Sequence, residues 1–267
     1  MAEDRSTPVM FDTSVAHIAR VYDYWLGGKD NFAADRAAGD EALQAYPNLV
    51  YSVRANRAFL ARTVRYLVQE AGIRQFLDIG TGIPTANNTH QVAQSIAPEC
   101  RVVYVDNDPI VLSHARALMA SGPLGACDYI DADVRGTQAI LDAAAQTLDF
   151  SQPVAVMLIA ILHLIGDEDD PRGIVTTLMD AVPPGSYLAM SHVASDIEPE
   201  KMAEMGKRLN RLLTQKGTYR SRAQVTALFE GLELVEPGVV PVPQWRPGTE
   251  VEAKTPAAMW GAVGRKT

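Results

Sequence analysis

The feature that most constrains the fold of this 267-residue chain is the regular alternation of short apolar segments with helical segments from residue 75 onward. Each apolar segment is followed by a stretch whose spacing and Ala, Leu and Gln content predict a helix. The predicted strands are 76–80, 101–106, 128–132, 154–162 and 186–192, and the predicted helices are 85–97, 109–120, 136–148, 171–182 and 198–213. Such alternation predicts a parallel sheet with right-handed crossovers and helices on both faces.

The two ends of the chain depart from this alternation. Residues 15–25, 34–45 and 50–70 have helical periodicity, and Gly72 is a helix stop signal, so the N-terminal part is predicted to be a helical extension. We divide the chain into a helical cap or lid, residues 1–72, and a main domain, residues 73–267.

The C-terminal part of the chain predicts a hairpin. Residues 232–236 and 258–263 read as strands, and the Pro/Gly-rich segment between them lacks a helix-length apolar pattern. The last strand is therefore predicted to be antiparallel. Altogether we expect an α/β fold with a seven-stranded, mostly parallel sheet, an antiparallel last strand, helices on both faces and a helical N-terminal extension.

A glycine-rich turn follows the first predicted strand, in the segment Phe76-Leu77-Asp78-Ile79-Gly80-Thr81-Gly82. A Gly-x-Gly turn between a strand and a helix lets the backbone approach a ligand closely, and the helix N-terminus offers free N–H groups. The dinucleotide fingerprint requires a third small residue, but this chain has Pro84 and Thr85 there. The turn alone is weak evidence, and it does not favour a pyrophosphate ligand.

Carboxylates follow the next two predicted strands. Asp106 ends the second strand, where a carboxylate can accept hydrogen bonds from both hydroxyls of a ribose. Asp133 follows the third strand, where it could accept from an adenine amino group while Val134 packs on the ring. Either aspartate alone could be a helix N-cap or part of an Asx turn. Their joint placement after consecutive strands favours a nucleoside site.

These three motifs resemble those of the class I S-adenosylmethionine-dependent methyltransferases, across about residues 75–194. The segments RVYDYWLGGKDNF (20–32), RANR (54–57) and DIGTGIPT (78–85) are similar to an actinobacterial family of uncharacterised S-adenosyl methyltransferases, once catalogued as a domain of unknown function. This second resemblance covers nearly the whole chain. It implies a Rossmann-like fold, S-adenosylmethionine as the cofactor and methyl transfer to an acceptor that the resemblance leaves unassigned.

The resemblance also implies roles for individual residues. The methionine part of the cofactor would lie on Asp78 and the turn Gly80-Thr81-Gly82, the ribose on Asp106 with Asn107 beside it, the adenine on Asp133 and Val134, and the sulfonium on Ile159 and Ala160. The chain departs from the common GxGxG motif because Pro84 stands at the last glycine position. That departure matters less here than in a dinucleotide site, since S-adenosylmethionine has no phosphate.

The N-terminal extension contains an unusual cluster of residues that we interpret as a lid over the ligand. Aromatic and polar side chains surround two glycines there: Tyr22, Tyr24, Trp25, Gly27, Gly28, Lys29 and Asn31. Lids over ligands use such hinges. The alternative is that the glycines simply end a helix.

A cation for the methionyl carboxylate is expected from the same extension. Arg54 is our first candidate, because a guanidinium matches a carboxylate with two parallel hydrogen bonds, and Lys29 could serve instead as a point charge. The alternative is an ordinary helical cap with Arg54 on a solvated face.

His163 is the candidate catalytic residue. It lies at the C-terminal edge of the central strand, where ligands bind in open α/β sheets, and a neutral imidazole could take a proton from the acceptor. A core histidine is the alternative, and His192 is a second, weaker candidate. The acidic run 167–170 is interpreted as a helix N-cap region, and no metal site is expected.

Composition limits the partners and the location. The formal net charge is −8, and no Lys/Arg-rich run is interleaved with aromatics, so a small-molecule partner is favoured over nucleic acid. The longest apolar run, residues 154–165, is too short to span a bilayer, and residues 1–11 lack the apolar core of a secretory signal. We expect no membrane partner and a cytoplasmic protein.

Three functions remain open from the sequence. The first is transfer of a methyl group to an oxygen or nitrogen of a small molecule. The second is a non-catalytic sensor of S-adenosylmethionine. The third, a nicotinamide-dependent oxidoreductase, is less favoured, because the third glycine is missing and Asp78 would have no role. The acceptor and the oligomeric state are not predicted.

Overall fold

The computed structural model describes residues 12–111 and 124–267, which form eight strands of one sheet surrounded by helices. The strands are β1 (Gln75–Ile79), β2 (Arg101–Asp106), β3 (Ala126–Asp131), β4 (Ala155–Ile159), β5 (Tyr187–Val193), β6 (Glu233–Leu234), β7 (Val240–Pro241) and β8 (Met259–Arg265). The helices are α1 (Ile18–Leu26), α2 (Ala33–Ala45), α3 (Leu49–Gln69), α4 (Thr89–Ile96), α5 (Thr137–Ala144), α6 (Pro171–Asp180), α7 (Pro199–Leu212), α8 (Arg222–Ala227) and α9 (Glu250–Ala253). Residues 112–120 of one predicted helix, and the segment 1–11, lie outside the described residues.

The sheet has the order β3-β2-β1-β4-β5-β8-β6, and β7 pairs with β8. Strands β1 to β5 pair in parallel, and β8 pairs antiparallel with β5, β6 and β7. The mostly parallel sheet and the antiparallel last strand are confirmed. The prediction of seven strands missed β7, because a two-residue strand inside a Pro/Gly-rich segment has no period to detect.

The structure also differs from the predictions at several boundaries, two of which lie next to the cavity, and it contains a helix that was not predicted. Helix α4 begins at Thr89 instead of residue 85, since the Asn88 backbone is extended before it and the preceding residues form a loop. Strand β4 ends at Ile159 instead of residue 162, because Ala160 has φ +55° and turns the chain. The unpredicted α8 follows Ser221, whose side chain accepts a hydrogen bond from the Gln224 amide.

The hydrophobic core lies on both faces of the sheet. On one face α3 contributes buried side chains such as Phe59 and Val64 to the cluster that contains Phe76 and Val102 of the strands. The N-terminal extension therefore shares a core with the sheet. A separate cluster joins α1, α2 and α3 to α7, and it includes Trp25, Leu49 and Met205.

This arrangement lays the extension over the carboxyl ends of the parallel strands, where an open α/β sheet binds its ligands. Among the described residues, no helix is both long enough and apolar enough to cross a membrane.

Candidate functional site

A large cavity lies between the carboxyl ends of the strands and helices α1, α3 and α7. The space between protein atoms there is about 1430 Å³ when the open mouth of the cavity is included. Ten of the predicted site residues line it: Tyr22, Asp78, Gly80, Thr81, Gly82, Asp106, Asn107, Ile159, Ala160 and His163.

The glycine turn after β1 is shaped by two left-handed residues. Gly80 has φ +77°, and a Cβ there would come within 2.6–2.7 Å of the Ile161 side chain. Gly82 has φ +64° with open space where its Cβ would be, and its amide donates to Asp106 Oδ2 at 2.7 Å. The backbone at Gly82 is thus accessible to a ligand in the cavity.

Asp78 is a buried carboxylate at the wall of this cavity. Its Oδ2 accepts a hydrogen bond from the Thr89 hydroxyl at 2.6 Å, and its Oδ1 has no hydrogen-bond partner among the described residues. Burial raises the pKa of Asp78 to about 6, and the positive charge of Arg57 limits that rise. A carboxylate in this setting is suited to a cationic group of a ligand.

Arg57 supplies the opposite charge. It lines the cavity from α3, and its Nη2 donates to the carbonyls of Ala86 and Asn87 at 3.2 and 3.4 Å and to Asn88 Oδ1 at 3.2 Å. Its other two guanidinium nitrogens make no hydrogen bond to a described residue. Arg57 and Asp78 therefore form a pair of opposite charges that can bind a zwitterion.

Asp106 accepts hydrogen bonds from backbone amides around the glycine turn. Its Oδ2 accepts from Gly82, and its Oδ1 accepts from the Asp108 amide at 3.0 Å. Burial raises the pKa of Asp106, and these two backbone hydrogen bonds oppose the rise. Each carboxylate oxygen can accept more than one hydrogen bond, so the group can still receive ribose hydroxyls.

Asp133 and Val134 lie in a second, smaller cavity, which shares Gly80, Asp106 and Asn107 with the large one. Asn107 Nδ2 donates to Asp133 Oδ2 at 3.1 Å. Asp133 is also paired with Arg135, and it remains 39% exposed. The two predicted nucleoside aspartates are thus brought to neighbouring positions at one edge of the sheet.

A chain of hydrogen bonds joins the extension to the turn after β4. Asn56 Nδ2 donates to the Tyr22 hydroxyl at 3.0 Å, and Ser191 Oγ donates to Asn56 Oδ1 at 2.6 Å. Ser191 Oγ accepts from the Ala160 amide at 3.0 Å. The strained turn at Ala160 is therefore fixed by residues of α3 and β5.

His163 is buried in a 3₁₀ turn after β4 and lines the cavity. Neither ring nitrogen hydrogen-bonds to a described residue, and Nδ1 is fully shielded from solvent. Burial, with the nearby His192 and Arg220, lowers the pKa of His163 to about 3, so its ring is neutral at physiological pH.

The turn that carries His163 is held by a buried arginine. Arg220 donates to the carbonyls of Leu162 and Ile165, both at 2.9 Å, and to Asp167 Oδ1 at 2.6 Å. It also donates to His192 Nε2 at 3.0 Å. His192 is buried and fully hydrogen-bonded, so it corresponds to the alternative of a structural histidine.

Of the residues predicted to bind the cofactor, Arg54, Lys29 and Asn31 line neither cavity. Arg54 is exposed on α3, because Val53, Asn56, Arg57 and Leu60 form the face of that helix that lines the cavity. Position 54 lies about 100° from that face.

Lys29 and Asn31 lie in the loop after α1, and neither lines the cavity. Lys29 is exposed, and Asn31 Nδ2 donates to Asp23 Oδ2 at 2.9 Å and to the Gly28 carbonyl at 3.0 Å. Gly27 ends α1 with φ +83°, as in the helix-stop alternative. The loop thus closes on itself, while α1 covers the cavity through residues such as Ile18 and Trp25.

The residues of the cavity wall that sequence reasoning missed include Asn56, Arg57, Gln215 and Tyr219. For the first two a signal existed, since they follow Val53 at the i+3 and i+4 positions of a helix. Gln215 and Tyr219 come from the loop after α7, which has no periodic pattern.

A family model described as S-adenosyl methyltransferase matches residues 4–267 of this chain. A DUF574 family protein from Streptomyces avermitilis is 48% identical, with 96% of this chain and 99% of that chain covered and a TM-score of 0.93. An inferred methyltransferase from Thermobifida fusca is 43% identical, with 96% and 97% covered and a TM-score of 0.88.

More distant structures share the fold alone. The mitomycin 7-O-methyltransferase MmcR is 16% identical, with 93% of this chain and 68% of that chain covered and a TM-score of 0.52. No curated protein sequence matches the chain.

Proposed function

The chain belongs to the S-adenosyl methyltransferase family, and we propose that it methylates a small molecule that binds beside the cofactor in the large cavity. The observation that carries the proposal is the continuity of that cavity. It runs from the glycine turn and Asp106 past Ile159 and Ala160 to His163 and an apolar wall formed by α1, α3 and α7. Two ligands in one cavity can be aligned and shielded from water, which is the main requirement for in-line methyl transfer.

The residues at the turn fit the amino-acid part of the cofactor. When bound, S-adenosylmethionine supplies a methyl group on a positively charged sulfur. Asp78 has an oxygen without a described partner, and it would accept hydrogen bonds from the methionyl ammonium group. Arg57, not Arg54, would bind the carboxylate, since it is the arginine of α3 that lines the cavity.

The nucleoside part is assigned to the two aspartates. Asp106, with Asn107, would accept the ribose hydroxyls, and the open backbone at Gly82 would lie beneath the ligand. Asp133 and Val134 would hold the adenine in the smaller cavity. Ile159 and Ala160 remain the residues proposed to line the sulfonium.

His163 is proposed to orient the acceptor. The acceptor atom must lose a proton as it gains the methyl group, and a neutral imidazole can accept a hydrogen bond from that atom. Because the pKa of His163 is only about 3, its ring is a weak base. We therefore assign it to accepting the hydrogen bond, while the released proton passes to solvent.

The proposal is tested with S-adenosylmethionine that carries a ¹³C-methyl group. The protein is incubated with this cofactor and a small-molecule extract of an actinobacterium, and mass spectrometry is used to find labelled compounds. We expect a labelled product that Asp106→Ala fails to form under the same conditions. Tight cofactor binding without any labelled product would favour the sensor function instead.

A further inference from the structure

One part of the large cavity has a different chemistry from the rest. We call it the acceptor half and define it by the apolar side chains that line it between α1, α3 and α7: Trp25, Leu26, Leu49, Met202, Met205 and Leu209. All but Leu26 are buried members of the cluster that joins the extension to α7. Methionines can adjust to the shape of a ligand, so this wall suits an apolar body of variable outline.

The charged groups are concentrated outside the acceptor half. Of the described residues that line the cavity, Asp78, Asp106 and Arg57 surround the glycine turn and the strand ends. Asp23 is the remaining carboxylate, and its Oδ2 is occupied by hydrogen bonds from its own loop. The apolar side chains that define the acceptor half offer no counter-ion, so an ionic group placed among them would lose its hydration at a high cost.

Two of the polar side chains that line the cavity, His163 and Tyr219, lie next to each other beside the acceptor half. The rings of His163 and Tyr219 have centroids 6.4 Å apart, and the Tyr219 hydroxyl makes no hydrogen bond to a described residue. Burial raises the pKa of Tyr219, so its O–H stays protonated. The Tyr219 ring lies against α7, where a Cβ at Gly206 would be 3.0 Å from it.

A hydroxyl group matches this pair. It can donate a hydrogen bond to the neutral His163 ring and accept one from the Tyr219 hydroxyl, whereas an ammonium group can only donate hydrogen bonds and would bring a positive charge into the acceptor half. A carboxylate has no hydrogen that it could donate to the His163 ring. This pair of side chains therefore distinguishes neutral hydroxyl compounds from ionic ones.

We propose that the methyl acceptor is an uncharged, largely apolar molecule whose hydroxyl group binds between His163 and Tyr219, with its apolar body against α7. The proposal rests on the proposed function, which places the cofactor in the other half of the cavity. On transfer the hydroxyl oxygen gains the methyl group and loses its proton, and the electron pair of the broken C–S bond stays on the sulfur.

The test uses three probes with one bicyclic body: 2-naphthol, 2-naphthoate and (2-naphthyl)methylammonium. Each is titrated by calorimetry at pH 7.5 into protein saturated with S-adenosylhomocysteine. We expect 2-naphthol to bind at least about tenfold more tightly than either ion, because only the ions must be desolvated without a partner.

Tyr219→Phe should weaken 2-naphthol binding about three- to tenfold, the usual value of one hydrogen bond, and leave S-adenosylhomocysteine binding unchanged. The control Tyr51→Phe alters an exposed tyrosine of α3 outside the cavity and should change neither affinity.

Two results would overturn the proposal while leaving the methyltransferase assignment intact. One is an ion that binds as tightly as 2-naphthol, and the other is no measurable binding of any probe, both with normal binding of S-adenosylhomocysteine. A protein that folds but does not bind S-adenosylhomocysteine would instead contradict the proposed function. An unchanged 2-naphthol affinity in Tyr219→Phe would remove Tyr219 from the acceptor site.

Discussion

At the scale of single residues, the site depends on a buried carboxylate whose charge is only partly compensated. Burial disfavours the ionised form of Asp78 and raises its pKa from 3.8 to about 6. A group with a raised pKa stabilises the fold fully below pH 3.8 and loses that contribution as the pH rises through about 6. Near neutral pH the ligand-free protein therefore carries an ionised Asp78 at a cost in stability, and this is the charge that we propose attracts the ammonium group of the cofactor.

This property predicts a pH dependence of cofactor binding. Below pH 6 the affinity for S-adenosylhomocysteine should fall by up to about tenfold per pH unit, because a protonated Asp78 no longer attracts the ammonium group. Asp78→Asn should abolish most of this dependence and weaken binding at pH 7.5. The same variant should raise the melting temperature of the ligand-free protein at pH 7.5, but not at pH 3.5. Calorimetry and thermal unfolding at both ends of this pH range check the prediction, and a flat affinity profile in the unaltered protein contradicts it.

The three aspartates proposed for the site could be predicted from the sequence, whereas the sequence did not distinguish Arg57, the arginine that lines the cavity, from Arg54. Asp78, Asp106 and Asp133 lie within or directly after strands, and the carboxyl ends of parallel strands meet at one edge of a sheet. The choice between Arg54 and Arg57 depends on which face of α3 is turned to the cavity. That face is fixed by packing against the strands, and both arginines are compatible with the helical pattern.

At the scale of secondary structure elements, the turn between β4 and α6 determines where His163 stands. The apolar run of β4 continues beyond the end of the strand to residue 162, so the sequence predicts a longer strand than the structure has. After Ile159 the apolar residues serve a different purpose, because Ala160, Ile161 and Leu164 are half-buried and line the cavity, while Leu162 and Ile165 are buried beneath it. Likewise the short β7 is defined by its pairing with β8, and the short α8 by its N-terminal cap, and hydrophobic periodicity in the sequence reveals neither contact.

The buried Arg220 should be the main determinant of this turn's stability. Arg220→Met would leave the carbonyls of Leu162 and Ile165 without their donor, at a cost of about 3 kcal/mol in the free energy of unfolding. Arg172→Met is the matched control, because Arg172 and Glu230 form a pair on the surface with both side chains mostly exposed, and such pairs contribute little. Denaturant unfolding measures both. Equal, small losses in the two variants would show that Arg220 does not hold the turn.

At the scale of the whole molecule, the N-terminal extension and the sheet line one cavity. The residues proposed for the nucleoside come from the sheet, and those proposed for the body of the acceptor come largely from α1, α3 and α7. The residues proposed for the amino-acid part of the cofactor, Asp78 and Arg57, lie where the sheet and the extension meet. The sequence predicted the sheet, the extension and the cover over the strand ends. It could not predict the shared core, because the contacts of Phe59 and Val64 with the strands depend on the angle at which α3 crosses the sheet.

The affinities of Arg57→Ala and Arg54→Ala for S-adenosylhomocysteine and for adenosine test most directly whether the extension completes the cofactor site. The two arginines lie one turn apart on α3, but only Arg57 lines the cavity. By calorimetry, Arg57→Ala should lose about 10- to 150-fold in affinity for S-adenosylhomocysteine, the value of a charged hydrogen bond, with adenosine binding unchanged. Arg54→Ala should bind both ligands normally. Equal behaviour of the two variants, or an equal loss for both ligands in Arg57→Ala, would contradict a cofactor site shared between the extension and the sheet.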